Sequence, residues 1–587
     1  MLHRQLEDRL RAAVSVVLPG VSTEDIGVRP CPDSKFGDYQ TNSLMALAKE
    51  RKMNPRQLAT EVLARLDVTP WCEKVEIAGA GFLNFRLTAA AISNALTAPL
   101  RGEPLFFDRT ATPRIVVIDF SSPNVAKPMH VGHIRSTALG DSLARLFRLL
   151  GHRVVTDNHI GDWGTQFGLL TVGWKAHLDA AALERDAMGE LERLYKEVNA
   201  ASEADPNIRE AAKQELVKLQ SGDAENLEIW KRMIALSQGQ FDSLYGRLGV
   251  HFDHTLGESF YNPQLKSVVQ ELKDRGIAQE SRGAICVFSD GTAAPKEDPF
   301  LISKDGEWQP NPALIQKTDG AANYATTDLA TLAYRWDTWK PDQIVYVTDG
   351  RQQLHFRQIF AIWRRWHPEL SAKVELAHVW FGSIQGEDGK PFKTRSGETV
   401  RLANLLDEAE QRAMDTVTQK NPDLPEDARK EIARVVGLGA VKYADLSPNR
   451  QSDYVFSWDK MLSLQGNTAP YLQYAYARIR SIFRKSGDGE MLDPGTIQLT
   501  HPDELTLAKH LLNFVITLEA AAAEYRPNYL CGYLHELAGH FARFYESCPV
   551  LKAEGTDRLA RLVLCEMTGR TLKQGLELLG IAVLEQM

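Results

Sequence analysis

From about residue 111, the spacing of hydrophobic residues along this chain alternates between the pattern of a β-strand and that of a helix. Ile115 to Ile118 is an apolar run whose Val and Ile content favours a β-strand. Over residues 133–150 the apolar positions recur at helical spacing with charges between them, and residues 153–156 read as a second strand. A strand, a helix and a second strand in this order predict one βαβ unit of a parallel, doubly wound sheet.

The pattern predicts further elements on both sides of this unit. Before it lie two helices and two strands paired around a glycine turn, at residues 2–18, 54–66, 75–79 and 81–87. After it come a helical insertion at about 180–250, a β-hairpin from Cys286 to Ile302 with its turn at Asp290-Gly291-Thr292, strands at 343–348 and 374–379, and helices from 404 to the end.

These elements predict a multidomain α/β protein with a Rossmann-like, doubly wound parallel sheet at its centre. An α+β domain precedes the sheet and an all-α helical bundle follows it. The expected boundaries are 1–110, 111–403 with insertions at about 180–250 and 280–312, 404–445 for connecting helices, and 446–587.

Composition narrows the class of protein further. A chain of 587 residues is too long for one core, and a net charge of −8 does not by itself indicate nucleic-acid binding. Six scattered cysteines without a C-x-x-C pair argue against a disulfide framework or a structural zinc site, and suit a reducing cytoplasm. We expect no membrane span, because no stretch approaches ~20 unbroken apolar residues.

The segment from Ser121 to His133 carries the clearest chemistry. It places a loop of small residues between a strand and a helix N-terminus, where backbone N–H groups and the helix dipole favour a bound phosphate. His130 and His133 add hydrogen-bond donors, Gly132 allows close approach to the backbone, and Lys127 supplies a point charge. The alternative is a surface loop that happens to contain two histidines.

His130-Val131-Gly132-His133 resembles the first signature of class I aminoacyl-tRNA synthetases. The lead-in from Asp119 to Pro128, Asp-Phe-Ser-Ser-Pro-Asn-Val-Ala-Lys-Pro, resembles the arginyl-tRNA synthetase version of that signature. The resemblance implies an ATP-dependent, AMP-forming ligase that makes arginyl-adenylate, releases pyrophosphate and transfers arginine to the terminal adenosine of tRNA(Arg). It also implies that activation depends on bound tRNA.

The second class I signature is expected at Phe392-Lys393-Thr394-Arg395-Ser396. It keeps one lysine and has an arginine in place of the second, and the resemblance implies that Lys127 compensates. A solvated basic loop is the alternative. The implied catalytic residues are Lys127, His130, His133 and Lys393. The implied ATP-binding residues are Ser121, Pro128, His130, Gly132, His133, His355, Phe392 and Lys393.

Recognition of a guanidinium requires planar carboxylate partners, because bidentate pairing is what separates arginine from lysine. Tyr324 and Asp328 are four residues apart on a predicted helix and so share one face. The alternative assigns the aspartate to helix capping and the tyrosine to packing. The implied arginine-binding residues are Asp119, Ser121, Asn124, His159, Tyr324, Asp328 and Gln352. Asp119 stands where some relatives have glutamate, so its reach to the ligand differs.

Two regions outside the sheet resemble the tRNA-binding parts of the same family. Phe82 and Asn84, in Gly-Phe-Leu-Asn, are the candidates to contact the tRNA elbow by stacking and edge recognition. Tyr471, Tyr474 and Arg478 have helical spacing and are the candidates to contact the anticodon stem and loop. Alternation along a strand would equally place Phe82 in a core, and an aromatic stripe on a helix is more often core than ligand contact.

The resemblance also implies the ligands of the protein. We expect ATP with Mg²⁺ as a substrate and no resident metal, with tRNA(Arg), L-arginine and ATP as partners. We expect neither DNA nor a membrane as a partner. We expect the protein to be a cytoplasmic monomer.

Three other functions fit part of the sequence. Another His-x-Gly-His nucleotidyltransferase would usually be much shorter and would lack the helical C-terminal region. A non-catalytic tRNA-binding relative would be expected to have lost His130, His133 or the lysine loop, and all are present. A class I synthetase for another amino acid is disfavoured by the lead-in and by Asp119 and Asp328.

Overall fold

The structure, a computed structural model, describes residues 1–390, 392, 399–487 and 497–587. They form two compact units, one made of Met1–Arg109 with Leu462–Met587 and the other of Thr110–Met461. The N-terminal region therefore shares a unit with the C-terminal helices, whereas residues 446–461 lie in the unit that contains the parallel sheet.

The N-terminal part of the first unit is a small α+β fold. Its antiparallel sheet has the strand order β1-β2-β4-β3, and Asn54 caps α3 by accepting from two backbone amides. The elements are α1 Leu2–Val17, β1 Arg29–Pro30, β2 Tyr39–Thr41, α2 Ser43–Glu50, α3 Pro55–Leu63, β3 Cys72–Ala78, β4 Phe82–Leu87 and α4 Ala89–Thr97. The two helices and the paired strands predicted here are confirmed.

The second unit alternates strands and helices around a central parallel sheet. Its strands are β5 Ile115–Asp119, β6 Arg153–Asn158, β7 His254–Thr255, β8 Ala278–Ser281, β9 Ala284–Val287, β10 Leu301–Lys304, β11 Glu307–Pro310, β12 Ala313–Gln316, β13 Gln343–Tyr346, β14 Glu375–His378, β15 Ile384–Gln385 and β16 Tyr454–Val455. Its helices are α5 Val131–Leu149, α6 Gln166–His177, α7 Ala180–Arg185, α8 Ala187–Ala204, α9 Pro206–Gln220, α10 Ala224–Leu248, α11 Asn262–Asp274, α12 Tyr324–Trp339, α13 Gln353–Trp366, α14 Leu402–Lys420, α15 Glu426–Leu446 and α16 Trp458–Met461.

The central sheet has the strand order β14-β13-β5-β6-β7 and is parallel throughout. The chain runs from β5 to β6 in one direction and later returns to place β13 on the other side of β5. The order therefore reverses between β5 and β13, and ligands of open α/β sheets bind outside the carboxyl ends of strands at such a point. The predicted βαβ unit is confirmed, and the loop that carries both histidines begins at this position.

The predicted hairpin turn at Asp290-Gly291-Thr292 is wrong. Asp290 Oδ1 accepts from the amide and hydroxyl of Thr292, which makes a local turn in a loop rather than a connection between paired strands. The hairpins lie on either side, β8–β9 and β10–β11. Their two-residue turns, Arg282-Gly283 and Asp305-Gly306, have positive φ at both positions, the geometry that matches strand twist.

The C-terminal part of the first unit is helical. Its elements are α17 Ala469–Ser486, α18 Pro502–Leu512, α19 Phe514–Ala523, α20 Pro527–Ser547 and α21 Gly555–Leu578. Two polar contacts join it to β2 and the residue before it. Lys509 Nζ lies 2.6 Å from Asp38 Oδ1, and the Tyr39 hydroxyl donates to Asn513 Oδ1 at 3.0 Å.

One segment of this region, Pro502–Ala523, is long and apolar enough by composition to cross a membrane, with a mean hydropathy of 1.2 over its most apolar 18 residues. Half of its most apolar window is buried inside the protein. A single segment of this kind is weak support for a membrane span, because the core helix of a globular unit has the same composition.

A pair of glycine variants tests the packing of α5 against the sheet. A Cβ at Gly140 would lie 2.1 Å from Phe120 Cγ, so Gly140→Ala should destabilise the protein by roughly 1–3 kcal/mol. Gly239→Ala, in the middle of α10 with nothing within 4 Å of the added atom, should instead stabilise it by up to ~1 kcal/mol. Thermal unfolding midpoints of both variants measure the difference, and shifts of the same sign would contradict this account of α5.

Candidate active site

The loop between β5 and α5 has an unusual backbone. Three of its non-glycine residues have positive φ, namely Ser121 at 73°, Ser122 at 47° and Ala126 at 60°. This left-handed region costs an L-residue roughly 1–2 kcal/mol, so surrounding contacts must hold the loop in shape. Each of the three amides donates to a buried side chain: Ser121 to Ser136 Oγ at 2.8 Å, Ser122 to Asn158 Oδ1 at 3.0 Å and Ala126 to Ser237 Oγ at 2.9 Å.

His130 and His133 cap the N-terminus of α5 together. The amide of His130 donates to His133 Nδ1 at 2.9 Å, and the amide of Gly132 donates to His130 Nδ1 at 3.1 Å. Because both Nδ1 atoms accept, the proton of each neutral ring is on Nε2. Both rings therefore present an N–H donor away from the helix end, and their centroids are 4.0 Å apart.

Both imidazoles are neutral at pH 7. Burial, followed by the neighbouring His130, lowers the pKa of His133 to about 3. Partial desolvation, followed by the charge of Arg351, lowers the pKa of His130. The pair can thus donate hydrogen bonds to an anion without carrying a charge of its own.

Gly132 is required by the His130 ring. A Cβ at this position would lie 2.9 Å from His130 Cε1, closer than a side chain tolerates. The glycine was predicted to give a nucleotide access to the backbone. In the structure it also allows the histidine to fold back over the helix N-terminus.

The chain that follows the second signature is hydrogen-bonded to the segment between β5 and α5 that carries His130, which we call the histidine loop. The amide of Val131 donates to the carbonyl of Val400 at 2.9 Å, and the amide of Leu402 donates to the carbonyl of Met129 at 2.9 Å. On the other flank, the Phe392 ring stacks on Phe456 with centroids 4.5 Å apart. Lys393, Thr394, Arg395 and Ser396 lie outside the described residues, between these two anchored flanks.

Lys127 is solvent-exposed at the end of the histidine loop, and Pro128 beside it is half-buried. The ammonium nitrogen of Lys127 lies 5.0 Å from the centroid of the Tyr195 ring, on α8 of the helical insertion. This is the distance of a cation–π contact, which holds the ammonium by the face of the ring.

Asp328 and His355 are hydrogen-bonded to each other. His355 Nε2 and Asp328 Oδ2 are 2.6 Å apart. Tyr324, one turn before Asp328 on α12, is 69% exposed, and Gln352 is exposed at the start of α13. The structure thus brings one residue predicted for arginine and one predicted for ATP into direct contact.

Glu258, a carboxylate absent from the sequence prediction, lies within electrostatic range of Asp328 and Asp162. Burial raises the pKa of Glu258 to about 8, and the negative charges of Asp328 and then Asp162 raise it in the same direction. Asp162 is itself buried and bound by the amide and hydroxyl of Ser259 at 2.8 and 2.6 Å. We call Asp162, Glu258 and Asp328 the acidic cluster.

His159 and Asn124 lie in adjoining segments. His159 is half-buried with its ring 5.5 Å from that of Tyr261. Asn124 is exposed, and its backbone pairs with Gly161. A Cβ at Gly161 would lie 2.1 Å from Asn124 Oδ1, so the glycine is what lets this amide occupy its position.

Asp119 already holds a guanidinium from the protein itself. Arg335 Nη2 donates to Asp119 Oδ2 at 2.7 Å and to Asp157 Oδ2 at 2.8 Å, and all three side chains are buried. The Ser122 hydroxyl donates to the other carboxylate oxygen of Asp119 at 3.0 Å. The predicted contact between Asp119 and substrate arginine stays a prediction, and in this structure both of its oxygens are occupied by protein groups.

The Ser121 hydroxyl, predicted to contact both ATP and arginine, is also held internally. Ser121 is 6% exposed, and its Oγ lies 2.8 Å from Thr137 Oγ1 and 2.8 Å from the Tyr245 hydroxyl. Its contribution in this state is therefore to fix the loop.

The residues predicted to contact tRNA differ in accessibility. In β4, Phe82 is half-buried and Asn84 is only 5% exposed, so Asn84 does not present its amide to solvent as the prediction requires. On α17, Tyr474 is 46% exposed and the Arg478 guanidinium lies 4.5 Å from the centroid of Tyr545. Tyr471 is half-buried with its ring 5.7 Å from that of His535.

Sequence reasoning missed the residues that reach the site from distant parts of the chain: Glu258, Arg335, Ser237 and Tyr245. Only Arg335 left a signal, since it follows Asp328 by seven residues on an apolar helix and so shares its face. Within the part of the chain that the structure describes, no group of three or more His, Cys, Asp or Glu side chains could hold a metal ion.

Three family models match successive parts of the chain. "Arginyl tRNA synthetase N terminal domain" matches residues 3–87, "tRNA synthetases class I (R), catalytic domain" matches 96–458, and "DALR anticodon binding domain" matches 472–587. Together they bear out the fold class expected from the sequence.

Curated relatives and solved structures agree with these matches. The chain is 45% identical to the arginine–tRNA ligase of a Synechococcus strain over 99% of each chain, and 45% identical to that of Hahella chejuensis over 100% of each. Among structures, it is similar to the arginyl-tRNA synthetase of Plasmodium falciparum, with a TM-score of 0.83 and 30% identity over 100% of this chain and 99% of that one. For the Thermus thermophilus enzyme the TM-score is 0.82 at 27% identity, with 100% of each chain covered. The chain therefore belongs to the arginyl-tRNA synthetases, the class I family that its histidine signature and lead-in resemble.

Proposed function

We propose that this protein attaches L-arginine to tRNA(Arg) in two steps. Arginine and ATP form arginyl-adenylate with release of pyrophosphate, and the arginyl group then passes to the terminal adenosine of the tRNA. The observations that carry this proposal are the histidine-capped N-terminus of α5, which follows β5 at the point where the strand order reverses, and the acidic cluster, whose carboxylates act on one another electrostatically. A polyphosphate requires the first environment and a cationic side chain requires the second.

On the phosphate side, the two Nε2–H groups of His130 and His133 donate to phosphate oxygens. Their contacts strengthen as negative charge moves onto the leaving pyrophosphate, which is how such donors lower a barrier. Lys127 and Lys393 supply positive charge to the same oxygens, and Mg²⁺ enters with ATP as part of the substrate. Ser121, Pro128, Gly132, His355 and Phe392 complete the proposed ATP site.

On the arginine side, Asp328 and Glu258 receive the guanidinium. To bind it, Asp328 exchanges its hydrogen bond with His355 for bidentate pairing with the ligand. Glu258 must lose its proton on binding, because a neutral carboxyl group offers the cation little. Asn124, His159, Tyr324 and Gln352 surround the remainder of the amino acid.

We further propose which regions bind tRNA. Residues 1–110 contact the elbow through Phe82, and 446–587 contact the anticodon through Tyr471, Tyr474 and Arg478. Residues 111–403 carry the chemistry and 404–445 connect it to the helical region. The scattered cysteines, which form no C-x-x-C pair in the sequence, suit a reducing cytoplasm, and we propose that the enzyme acts there as a monomer.

ATP–pyrophosphate exchange with each standard amino acid, with and without tRNA, tests the function. We expect exchange with arginine alone and only when tRNA(Arg) is present, since bound tRNA completes the site by induced fit. Lys127→Ala should abolish exchange even with tRNA. Exchange with another amino acid would refute the arginine assignment, whereas strong exchange without tRNA would refute only the dependence on tRNA.

Asp328→Asn should weaken the binding of arginine far more than the binding of ATP. Removing one partner of a partly buried charge pair costs roughly 2–5 kcal/mol, so the KM for arginine should rise at least ~30-fold. Asp337→Asn is the matched control, because Asp337 lies on the same helix with a side chain that is 76% exposed and pairs with Lys340. Steady-state kinetics would show the assignment to be wrong if the KM for ATP changed instead.

Arginine affinity should rise with pH through the titration of Glu258. With a pKa of about 8 in the free protein, Glu258 is mostly protonated at pH 7, and a bound guanidinium favours the ionised form. Binding below this pKa therefore releases a proton, and the Kd for arginine should fall by up to about tenfold per pH unit until about pH 8.

Isothermal titration calorimetry in two buffers with different protonation enthalpies counts the released proton directly. In Glu258→Gln the release should vanish and the affinity should no longer depend on pH in this range. A wild-type Kd that is constant between about pH 6.5 and 8 would exclude Glu258 from the guanidinium site, since proton linkage requires a slope there.

A further inference from the structure

We propose that Ser237, on α10 of the helical insertion, is a positioning residue for Lys127. This inference rests on the proposed function, in which the Lys127 ammonium binds the phosphates of ATP. Ser237 is 0% exposed, and its hydroxyl does not face solvent or ligand. Its effect on the reaction would pass through the backbone of the histidine loop.

The contact is a backbone-to-side-chain hydrogen bond across 111 residues of sequence. The amide of Ala126, the residue directly before Lys127, donates to Ser237 Oγ at 2.9 Å, and the Ser237 hydroxyl donates to the carbonyl of Met233 at 2.8 Å. The hydroxyl thus uses its proton within its own helix and offers a lone pair to the loop. Ala126 is 0% exposed, so bulk water does not reach this amide.

This hydrogen bond stabilises a backbone conformation of Ala126 that alanine disfavours. Ala126 has a φ of 60°, a value that alanine adopts at a cost and glycine adopts freely. Without the serine hydroxyl, the left-handed conformation would also leave a buried amide without an acceptor. The loop would then relax toward other conformations, and the direction in which the Lys127 side chain leaves the backbone would change with it.

A second residue of the same helix supports the other end of the loop. The Tyr245 hydroxyl lies 2.8 Å from Ser121 Oγ and accepts from Asn158 Nδ2 at 3.1 Å. Asn158 in turn accepts the amide of Ser122. One helix thus contacts the loop at both of its left-handed stretches, while α8 of the same insertion contacts the Lys127 ammonium through Tyr195. The insertion therefore acts as the scaffold of this loop.

Ser237→Ala tests the proposal in tRNA-stimulated ATP–pyrophosphate exchange. We expect kcat to fall by about tenfold while the KM for arginine stays within about twofold, because the contact acts on the phosphate side alone. Ser202→Ala is the matched control. Ser202 is a buried serine of the same insertion whose hydroxyl donates to the carbonyl of Asn199 at 2.8 Å, and the variant should keep wild-type kinetics.

A suppressor distinguishes positioning from general packing. Adding Ala126→Gly to Ser237→Ala removes the cost of the positive φ and should restore kcat several-fold, although it adds no contact. Equal losses in Ser237→Ala and Ser202→Ala, or no recovery with Ala126→Gly, would overturn the proposal. If Ser237→Ala lowers the thermal unfolding midpoint so far that kinetics cannot be read, Ser237→Cys, with a similar volume and a weaker acceptor, takes its place with a smaller expected loss of kcat.

Failure of this inference is distinguishable from failure of the proposed function. Wild-type kcat in Ser237→Ala, together with an inactive Lys127→Ala, would refute the role of Ser237 and leave that of Lys127 intact. An active Lys127→Ala would refute the role of the lysine and with it the basis of the inference.

Discussion

The buried guanidinium of Arg335 is the contact on which the arginine side of the site depends. It joins α12 to the carboxyl ends of β5 and β6 by pairing with Asp119 and Asp157, at a point with 0% exposure. Burial raises the pKa of Asp157, and Arg335 opposes that shift by favouring the ionised carboxylate. Removing the arginine would leave two buried carboxylates without a counter-ion, which costs on the order of 3–5 kcal/mol. Because Asp328 lies two turns earlier on the same helix, this ion pair also sets where the acidic cluster sits relative to the sheet.

Much of the fold could be predicted because its signals are local. The Val- and Ile-rich run of β5 and the apolar spacing of α5 are set by neighbouring residues, and both elements match to within two residues. The hairpin turn was misplaced because Asp290-Gly291-Thr292 has turn composition without being flanked by strands that pair with each other. Turn residues specify a change of direction, whereas pairing depends on which strands the rest of the fold brings together.

The parts of the candidate site that depend on neighbouring residues in the sequence were predictable as well. The helix cap is formed by His130, Gly132 and His133, whose hydrogen-bond partners are three residues apart or fewer. The local sequence therefore determines the geometry of the cap. Glu258 and Ser237 reach the site only through tertiary folding. The contact between Asp119 and the guanidinium of substrate arginine stays a prediction. The partner found in the structure is Arg335, which sequence spacing alone could not distinguish from a bound ligand.

Several groups expected to touch substrate contact other groups of the protein in the structure. Asp328 is hydrogen-bonded to His355, and Lys127 makes a cation–π contact with Tyr195. The Ser121 hydroxyl is hydrogen-bonded to Thr137 and Tyr245. A ligand must exchange these contacts for its own, and only the difference in free energy appears as affinity. Binding energy from a large second substrate can drive such an exchange where a small one cannot. The tRNA dependence proposed above would draw on such an exchange. Because the amide of Val131 donates to the carbonyl of Val400, the chain that follows the second signature is joined directly to the N-terminus of α5, where both histidines lie.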